Sequence, residues 1–189
     1  MVQKPTDGRQ ARAVRTRGAL LDAAELVVQR DGVAALTLER VAEEAGVSKG
    51  GLLYHFGSKQ ELIGALLTHT LERTNADLDA LTDDERPGAF ARAYLDYVRE
   101  GGDPRRGMAT GIFASAALEQ GELEPARAQF DEWQRRLLEE DEVDSTVAML
   151  ARVVGDGLWL IDLFDLAPPN ARQRAAVLDL VQSLLDADG

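Results

Sequence analysis

The 189-residue sequence contains no cysteine and no apolar run long enough to cross a membrane. Without cysteine the chain can form no disulfide, thiolate metal site or cysteine nucleophile, which is compatible with a reducing compartment. A membrane-spanning helix needs roughly 20 apolar residues, and the N-terminal stretch lacks the apolar segment of about 7 to 15 residues found in secretory signals. We therefore expect a cytoplasmic protein with no membrane partner.

Positive charge is scarce and unevenly distributed. The chain carries 21 Lys and Arg against 33 Asp and Glu, a net charge of −12. Residues 1–60 nevertheless hold nine basic and seven acidic residues, so the acidic excess lies in residues 61–189. The first segment begins with a basic arm that contains a single acid, Asp7, and the basic residues Lys4, Arg9, Arg12, Arg15 and Arg17. Such an arm favours contacts with phosphate, or alternatively a disordered, solubilising tail.

Strand signals are missing as well, since the sequence has few clusters of β-branched residues and no sustained alternation of polar and apolar residues. Helical periodicity covers most of the chain and predicts an all-α fold of about nine helices. The first four are expected from about Val14 to Arg30, from Thr37 to Gly46, from Ser48 to about Phe56, and from the capping box Ser58–Glu61 onward. Proline, glycine and acidic segments divide the remainder into five more, near residues 87–100, 104–119, 124–140, 143–166 and 169–187.

Two adjacent glycines, Gly50 and Gly51, occupy the first turn of the predicted third helix. Each lowers helix propensity by about 1 kcal/mol relative to Ala, so the pair needs a compensating benefit. A helix, a turn containing Gly46 and a second helix capped by Ser48 form the pattern of a helix-turn-helix, whose second helix enters the major groove of DNA. Glycines there would let the backbone approach DNA closely. The alternatives are that a helix N-terminus tolerates glycine, or that another helix crosses at this point.

Residues 14–67 resemble the DNA-binding domain of the TetR family of transcriptional regulators. The resemblance rests on the combination of GVSKG, YHF and SKQEL at their spacings in this sequence. It implies an all-helical homodimer, usually a repressor that a small-molecule effector releases from double-stranded DNA. The expected domains are a DNA-binding domain at residues 1–60 and a ligand-binding and dimerisation domain at residues 61–189. No cofactor and no metal are expected.

The resemblance also assigns candidate DNA-binding residues. Positions that commonly contact phosphate are matched by Thr37, Ser48, Tyr54 and Lys59. The recognition helix, where base or backbone contacts are expected, carries Lys49, Gly50, Gly51 and His55. Arg17 of the basic arm completes the set. The sequence departs from the family pattern at Leu53, where many members have a second aromatic residue, and Leu53 could contact a thymine methyl group instead.

The segment VVGDGLWLIDLFDLA, residues 153–167, is apolar around nearly its whole circumference, which predicts burial on most sides. In the family architecture the last two long helices pair across a two-fold axis into a four-helix dimer bundle. This segment and residues 169–187 match those helices in place and length. The alternative is that both helices belong to an intramolecular core.

Three acids, Asp156, Asp162 and Asp165, interrupt this apolar segment and need partners. One interpretation is an effector pocket in which carboxylates meet a cationic ligand and aromatic rings stack on it. Its candidate lining residues are Phe90, Tyr94, Met108, Ile112, Phe113, Trp159, Asp162, Leu163 and Leu166. The alternative places the acids at the dimer rim, at helix ends or in ion pairs with Arg152, Arg172 or Arg174, with the aromatic residues as ordinary core.

Enzymatic function lacks a local signature. A helical-bundle metalloprotein would need Glu-x-x-His pairs, whereas Leu52 and Leu66 stand three residues before His55 and His69, the only two histidines. The nucleophile, P-loop and dinucleotide motifs are missing too. An interaction protein without DNA binding would leave the Gly50-Gly51 pair and the basic arm unexplained. We therefore expect a dimeric, ligand-responsive regulator, not an enzyme, that binds a near-palindromic operator.

Overall fold

The computed structural model describes residues 7–82, 86–99, 111–116 and 123–188. These ranges contain nine α-helices and no strand, which confirms the predicted all-α fold. The helices are α1 (Asp7–Asp31), α2 (Leu38–Glu44), α3 (Lys49–Leu53), α4 (Lys59–Leu81), α5 (Ala89–Arg99), α6 (111–116), α7 (Glu124–Arg135), α8 (Ser145–Leu163) and α9 (Ala171–Asp188). Among the described residues, no helix combines the length and apolar character that crossing a membrane requires. The predicted pocket residue Met108 lies outside the described residues.

The chain divides into two compact units, residues 1–69 with 108–123, and residues 70–107 with 124–189. Helix α4 contributes to both, because the division falls between His69 and Thr70 in its interior.

The first unit has a core built on an apolar stripe of α1. Leu20, Ala24 and Val27 on this stripe are fully shielded from solvent. They are joined by buried residues of the following helices, which are Val41, Ala42, Leu52, Phe56, Leu62, Ile63, Leu66 and Leu67. Burial of each large apolar side chain contributes about 1.5–3 kcal/mol, which holds the short helices α2 and α3 in place despite their limited intrinsic stability.

Two predicted boundaries in this unit are wrong. Helix α1 begins at Asp7 and not near Val14, because Arg, Ala and Gln in the intervening segment are good helix formers. The described part of the basic arm is therefore helical. Helix α3 ends at Leu53 and not at Phe56, since the backbone N–H groups of His55 and Phe56 both bond to the Leu52 carbonyl, at 2.8 and 2.9 Å.

The second unit packs α5, α7, α8 and α9 together, with the second half of α4. Leu95, Leu137, Leu178 and Leu185 are among its buried residues. The helix predicted over residues 124–140 is not uniform, because the chain changes from α to π geometry over Arg136–Glu140. Just after it, the buried Asp141 accepts hydrogen bonds of 2.8 Å from the backbone N–H groups of Phe90 and Ala91, and so caps α5 from a distant part of the chain.

Candidate nucleic-acid interface

The turn between α2 and α3 is closed by its own sequence. The Thr37 hydroxyl accepts a hydrogen bond from Arg40 N at 3.2 Å and caps α2, and Ser48 caps α3 by accepting from Gly51 N at 3.1 Å. Gly46 has φ +65°, a left-handed conformation that suits glycine. The Gly46 N–H bonds to the Glu43 carbonyl at 3.1 Å and the Val47 N–H to the Ala42 carbonyl at 2.9 Å, which is a Schellman motif. These bonds set the angle at which α3 leaves α2.

The first turn of α3 presents bare backbone to its surroundings. Gly50 is exposed, and a Cβ atom built there would meet no described heavy atom within 4 Å. A Cβ atom at Gly51 would lie 3.4 Å from Ser48 Oγ, an ordinary contact. Packing within the described chain therefore does not require glycine at position 50, and the interpretation that another helix crosses there finds no support among these residues.

The residues after this turn form an aromatic ridge of the exposed Tyr54 and the half-buried His55. Tyr54 is 82% exposed, and its ring meets the His55 ring edge to face at a centroid distance of 5.1 Å. Leu53 beside it is also exposed. By contrast, Leu52 and Phe56 are fully buried and anchor the ridge to the core. A phenol and an imidazole held this way offer hydrogen bonds to a ligand outside the chain.

Lys49 stands at the start of α3 and pairs with Glu39 of α2, with 2.5 Å between Nζ and Oε1. This hydrogen bond and the lysine charge lower the pKa of Glu39. Both side chains are exposed, so water and salt screen the pair, and a phosphate group can replace Glu39 as the partner of Lys49.

Unpaired cations lie on α1 and at the start of α4. Arg17 stacks over the Phe56 ring, with Cζ 5.1 Å from the ring centroid, which places a guanidinium group close to the aromatic ridge. Arg12, Arg15 and Lys59 have no acidic partner among the described residues. Arg30 and Arg40, in contrast, form ion pairs with Glu44 and Asp31.

Arg12 and Arg15 also line a feature that the site prediction did not include. An open groove of about 340 Å³ separates α1 from the α2–α3 turn, and its walls contain no acidic residue. Its lining residues are Arg12, Arg15, Thr16, Ala19, Leu20, Ala45 and Val47. The repeated arginines in the sequence indicated positive charge here, but only the helical start of α1 places two of them on one groove.

Among the predicted effector residues, Phe90, Tyr94 and Trp159 lie in one aromatic cluster of the second unit. The ring centroids are 6.5 Å apart for Phe90 and Tyr94, 6.2 Å for Tyr94 and Trp133, 5.0 Å for Trp133 and Phe130, and 6.4 Å for Phe130 and Trp159. Phe130 and Trp133 were not predicted as site residues, although their three-residue spacing places them on one side of α7. Ile112 and Phe113, which were predicted, belong to the first unit.

Asp156 is the acid that joins this cluster. It accepts a hydrogen bond from the Tyr94 hydroxyl and another from Arg152 Nε at 3.3 Å. Burial, followed by the charge of Asp156, raises the pKa of Tyr94 well above its ordinary value. The phenol therefore stays protonated and serves as a donor. Gly155 makes the contact possible, because a Cβ atom there would lie 2.5 Å from Tyr94 Cε1.

The other predicted pocket residues on and after α8 have different surroundings. Asp162 is exposed and binds Arg174 of α9, with Nη2 at 2.5 and 2.7 Å from its two carboxylate oxygens. Leu166 is exposed and Leu163 is half-buried. The ion-pair interpretation considered for the acids thus describes both Asp156, with Arg152, and Asp162, with Arg174.

Two family profiles match the chain. The profile "Bacterial regulatory proteins, tetR family" matches residues 20–66, and "Tetracyclin repressor-like, C-terminal domain" matches residues 88–186. The second match covers more than half of the chain and includes the Tyr94–Asp156 cluster. The first includes α2, α3 and the turn between them.

Individual relatives are similar in sequence and structure. The HTH-type transcriptional regulator RutR from Escherichia coli K12 is 40% identical over 91 residues, which are 48% of this chain and 43% of RutR. The chain therefore spans less than half the length of this curated relative. The multidrug binding protein EbrR, complexed with ethidium, is 30% identical with a TM-score of 0.65, covering 88% of this chain and 98% of EbrR. A TetR transcription regulator from Haloarcula marismortui, 20% identical with a TM-score of 0.72 and covering 93% and 98%, shares the fold.

Proposed function

The chain belongs to the TetR family of DNA-binding transcriptional regulators, and we propose that it is a repressor that binds a near-palindromic operator as a homodimer. In this proposal α3 enters the major groove, and a small aromatic effector bound in the second unit releases the protein from DNA. The observation that carries the DNA-binding part is the open space at Gly50 beside the exposed Tyr54.

The proposed DNA contacts use groups at the start of α3 and around it, of which Lys49 would exchange its exposed partner Glu39 for phosphate or a base. Gly50 and Gly51 allow the start of α3 to approach the bases, and Lys49 and His55 flank it. The phosphate contacts are assigned to the hydroxyl groups of Thr37, Ser48 and Tyr54 and to the cations Arg17 and Lys59. We add Arg12 and Arg15 to this set because they line the acid-free groove.

The proposed dimer interface is an apolar stripe on α8 and α9. On α8, Leu150, Val153 and Leu160 are exposed, and the exposed Phe164 directly follows the helix; they recur at intervals of three, seven and four residues, which places them along one side. On α9, Val177, Leu180 and Leu184 form a matching exposed series. Large apolar residues rarely line a whole helix side without a partner. A second copy of the chain would cover them and pair the two recognition helices.

The proposed effector site is the aromatic cluster around Tyr94 and Asp156. Its rings contact one another, so a planar ligand would bind by separating them and stacking between them. Asp156 would attract a cationic ligand in competition with Arg152. The similarity to EbrR, which was solved with ethidium, supports an effector of this kind. Phe90, Trp159 and Leu163 remain proposed wall residues, whereas the Arg174 pair of Asp162 makes that acid a less direct participant.

Helix α4 is the proposed link between effector and DNA. Asn75 of α4 accepts a hydrogen bond from Trp133 Nε1 at 3.0 Å and from Gln129 Nε2 at 3.3 Å. A ligand that displaces Trp133 would therefore act directly on α4, whose other half belongs to the first unit. In one form of the dimer the two recognition helices are spaced to fit the operator, and in another form they are not. The effector releases the protein from DNA only if it binds more tightly to the second form.

The proposal is tested by selecting sequences from a random duplex library with the purified full-length chain. We expect a two-fold symmetric motif whose half-sites are centred about 34–36 Å apart, as two paired recognition helices require. Affinity should fall steeply with salt, since phosphate contacts release counterions. No enriched sequence from a protein shown to be dimeric would contradict DNA recognition.

A pair of charge variants tests whether the groove lined by Arg12 and Arg15 contacts DNA. Arg15→Gln should weaken binding about equally at all sequences and reduce the slope of log affinity against log salt by about one, because one phosphate contact is lost. Arg127→Gln removes an equal charge from the second unit, where Arg127 pairs with Glu124, and should leave both quantities unchanged. Equal effects of the two variants would mean that only net charge matters and that the groove is not a DNA contact.

A further inference from the structure

Asp22, Glu25 and His69, none of which is assigned above to DNA or effector, come together within the first unit. Asp22 and Glu25 are one turn apart on α1, so their carboxylates share a side, and His69 comes from α4. His69 Nε2 lies 3.5 Å from Asp22 Oδ1 and 3.9 Å from Glu25 Oε1. One ligand-type atom of each residue lies within 4.8 Å of the other two.

The His69 Nε2 atom is buried and has no hydrogen-bond partner among the described residues. A buried polar atom of this kind lowers stability unless something binds it. Both carboxylate distances exceed the roughly 2.7–3.2 Å of an N–H···O hydrogen bond. His69 Nε2 is thus not hydrogen-bonded to either carboxylate, but all three ligand-type atoms lie within 4.8 Å of one another.

The distances between these ligand-type atoms suit a shared metal ion better than direct hydrogen bonds between the side chains. Ligand atoms about 2.0–2.2 Å from one ion lie roughly 3.0–3.5 Å from each other in octahedral or tetrahedral geometry. A rotation of the exposed Asp22 side chain would bring its carboxylate closer to His69 Nε2. The Asp22 side chain is 65% exposed, which gives an ion access from solvent and leaves room for water as a further ligand.

We propose that Asp22, Glu25 and His69 bind a divalent first-row metal ion of the zinc class. Two carboxylates balance the charge of such an ion, and the neutral imidazole, with its proton on Nδ1, supplies Nε2 as a ligand. The nitrogen ligand selects zinc, cobalt or nickel over magnesium and calcium, which prefer oxygen alone. Bound metal joins the middle of α1 to the last residue that α4 contributes to the first unit.

The ion therefore stabilises the packing of α1 against α4 within this unit. Because the unfolded chain does not hold the three ligands together, metal binding favours the folded state by linkage. The competing occupant is a proton, which would convert His69 into a cation paired with the two acids. A proton binds without any added metal, so a zinc titration at constant pH distinguishes the two occupants.

The test uses the full-length chain, treated with chelator and then titrated with zinc chloride or magnesium chloride in separate calorimetric experiments. We expect one zinc ion per subunit and a thermal midpoint that rises with zinc but not with equimolar magnesium. Because the chain has only two histidines, the imidazole C–H resonances can be assigned with single variants. Zinc should shift the His69 resonances and leave those of His55 in place.

Three variants identify the ligands. His69→Gln and Asp22→Asn should each weaken zinc binding roughly tenfold or more, as expected for loss of a ligand. His55→Gln, which removes the other histidine, should bind zinc like the parent chain. Asp22 is exposed, so its variant keeps the test valid even if the His69 variant fails to fold. Helical circular dichroism checks the fold of each.

Two results would overturn the proposal. The first is zinc affinity that is unchanged in Asp22→Asn and in a folded His69→Gln variant, which would place the ion elsewhere among the many acidic residues. The second is a His69 resonance that moves with pH but not with stoichiometric zinc. That result would assign the cluster to a protonated histidine paired with two carboxylates.

Discussion

Gly50 is the residue at which stability and the proposed function make opposite demands. Its backbone is helical and an added Cβ atom would meet nothing within 4 Å in the described chain, so alanine fits without strain. Alanine also forms helices better than glycine. Alanine at position 50 would therefore give a more stable chain, and the proposed close approach of DNA to the α3 backbone would account for the glycine.

The Gly50→Ala variant should be more stable and bind DNA less well. We expect a gain of roughly 0.5 kcal/mol in the free energy of unfolding, because the unfolded chain loses freedom and α3 gains propensity. Operator affinity should fall about tenfold or more, since the methyl group separates α3 from the groove; a tenfold loss corresponds to about 1.4 kcal/mol. Urea denaturation and a DNA titration measure the two effects on the same sample.

Variants at two other glycines separate the effect of helix propensity from the effect of backbone conformation. Gly18→Ala changes a helical position on α1 where a Cβ atom also meets nothing, and it calibrates the stability gain expected from propensity. Gly46→Ala forces a Cβ atom into the left-handed conformation at φ +65° and should instead lower stability by roughly 1 kcal/mol. Unchanged operator affinity in Gly50→Ala would show that the bare backbone serves only the helix end.

At the scale of elements, the features that were predictable from sequence are those whose cause lies within a few residues. The caps by Thr37 and Ser48 and the glycine stop at Gly46 are local hydrogen-bonding devices, and each is present as expected. Ser58 likewise caps α4 by accepting from Glu61 N at 3.1 Å, while the Glu61 side chain bonds to Gly57 N at 2.8 Å. Short-range chemistry of this kind can be read without knowing the fold.

Features that depend on distant residues were not predictable in the same way. Asp141 caps α5 although some fifty positions separate it from Phe90, and no local pattern indicates that pairing. The meeting of Glu25 with His69 has the same character, because a search for Glu-x-x-His tests only neighbours on one helix. The roles of Phe130 and Trp133 depended on which side of α7 faces Tyr94. Tertiary packing decides each of these cases.

Helix α8 shows how one element gives similar acids different roles. Asp156 lies opposite α5 and bonds to Tyr94, whereas Asp162 pairs with Arg174 of α9. Asp165 lies beyond the last residue of α8, exposed and with φ 50°. If the aromatic cluster is the effector site, only the first of these charges should matter for a cationic ligand.

This difference predicts the effect of single acid-to-amide changes on the binding of ethidium, used as a planar cationic probe. Asp156→Asn should weaken ethidium binding roughly tenfold or more, because it removes a charged acceptor and leaves the nearby Arg152 without its acidic partner. Asp165→Asn removes the same charge from an exposed site and should have little effect. Fluorescence titration measures both, and equal losses would indicate a general electrostatic effect and not a site at Tyr94.

At the scale of the whole molecule, the charge distribution fits a protein that contacts DNA through its first unit, as proposed. Residues 61–189 carry 26 acidic and 12 basic residues, which repel the phosphate backbone. The first unit presents Arg12, Arg15, Arg17 and Lys59 without acidic partners among the described residues. Attraction is thus confined to one end of the sequence, and non-specific binding through the remainder is disfavoured.

A single first unit offers a small contact area, so operator binding should depend on the association of two chains through α8 and α9. Light scattering on the parent protein should give about twice the chain mass of 20.5 kDa. Placing a charge in the middle of either stripe, by Leu160→Glu or Leu180→Glu, should produce a monomer, because a buried unpaired carboxylate destabilises the interface strongly. The monomer should lose most of its affinity for a two-fold symmetric site while its helical content is kept.

The matched control for these changes is Leu26→Glu, which alters an exposed leucine on α1 outside both stripes and should leave the mass unchanged. A dimer that persists in both stripe variants would place the interface on another surface. The spacing of the half-sites would then have to be explained by that surface. Loss of the dimer without loss of operator affinity would instead show that one recognition helix suffices, and would remove the need for a palindromic site.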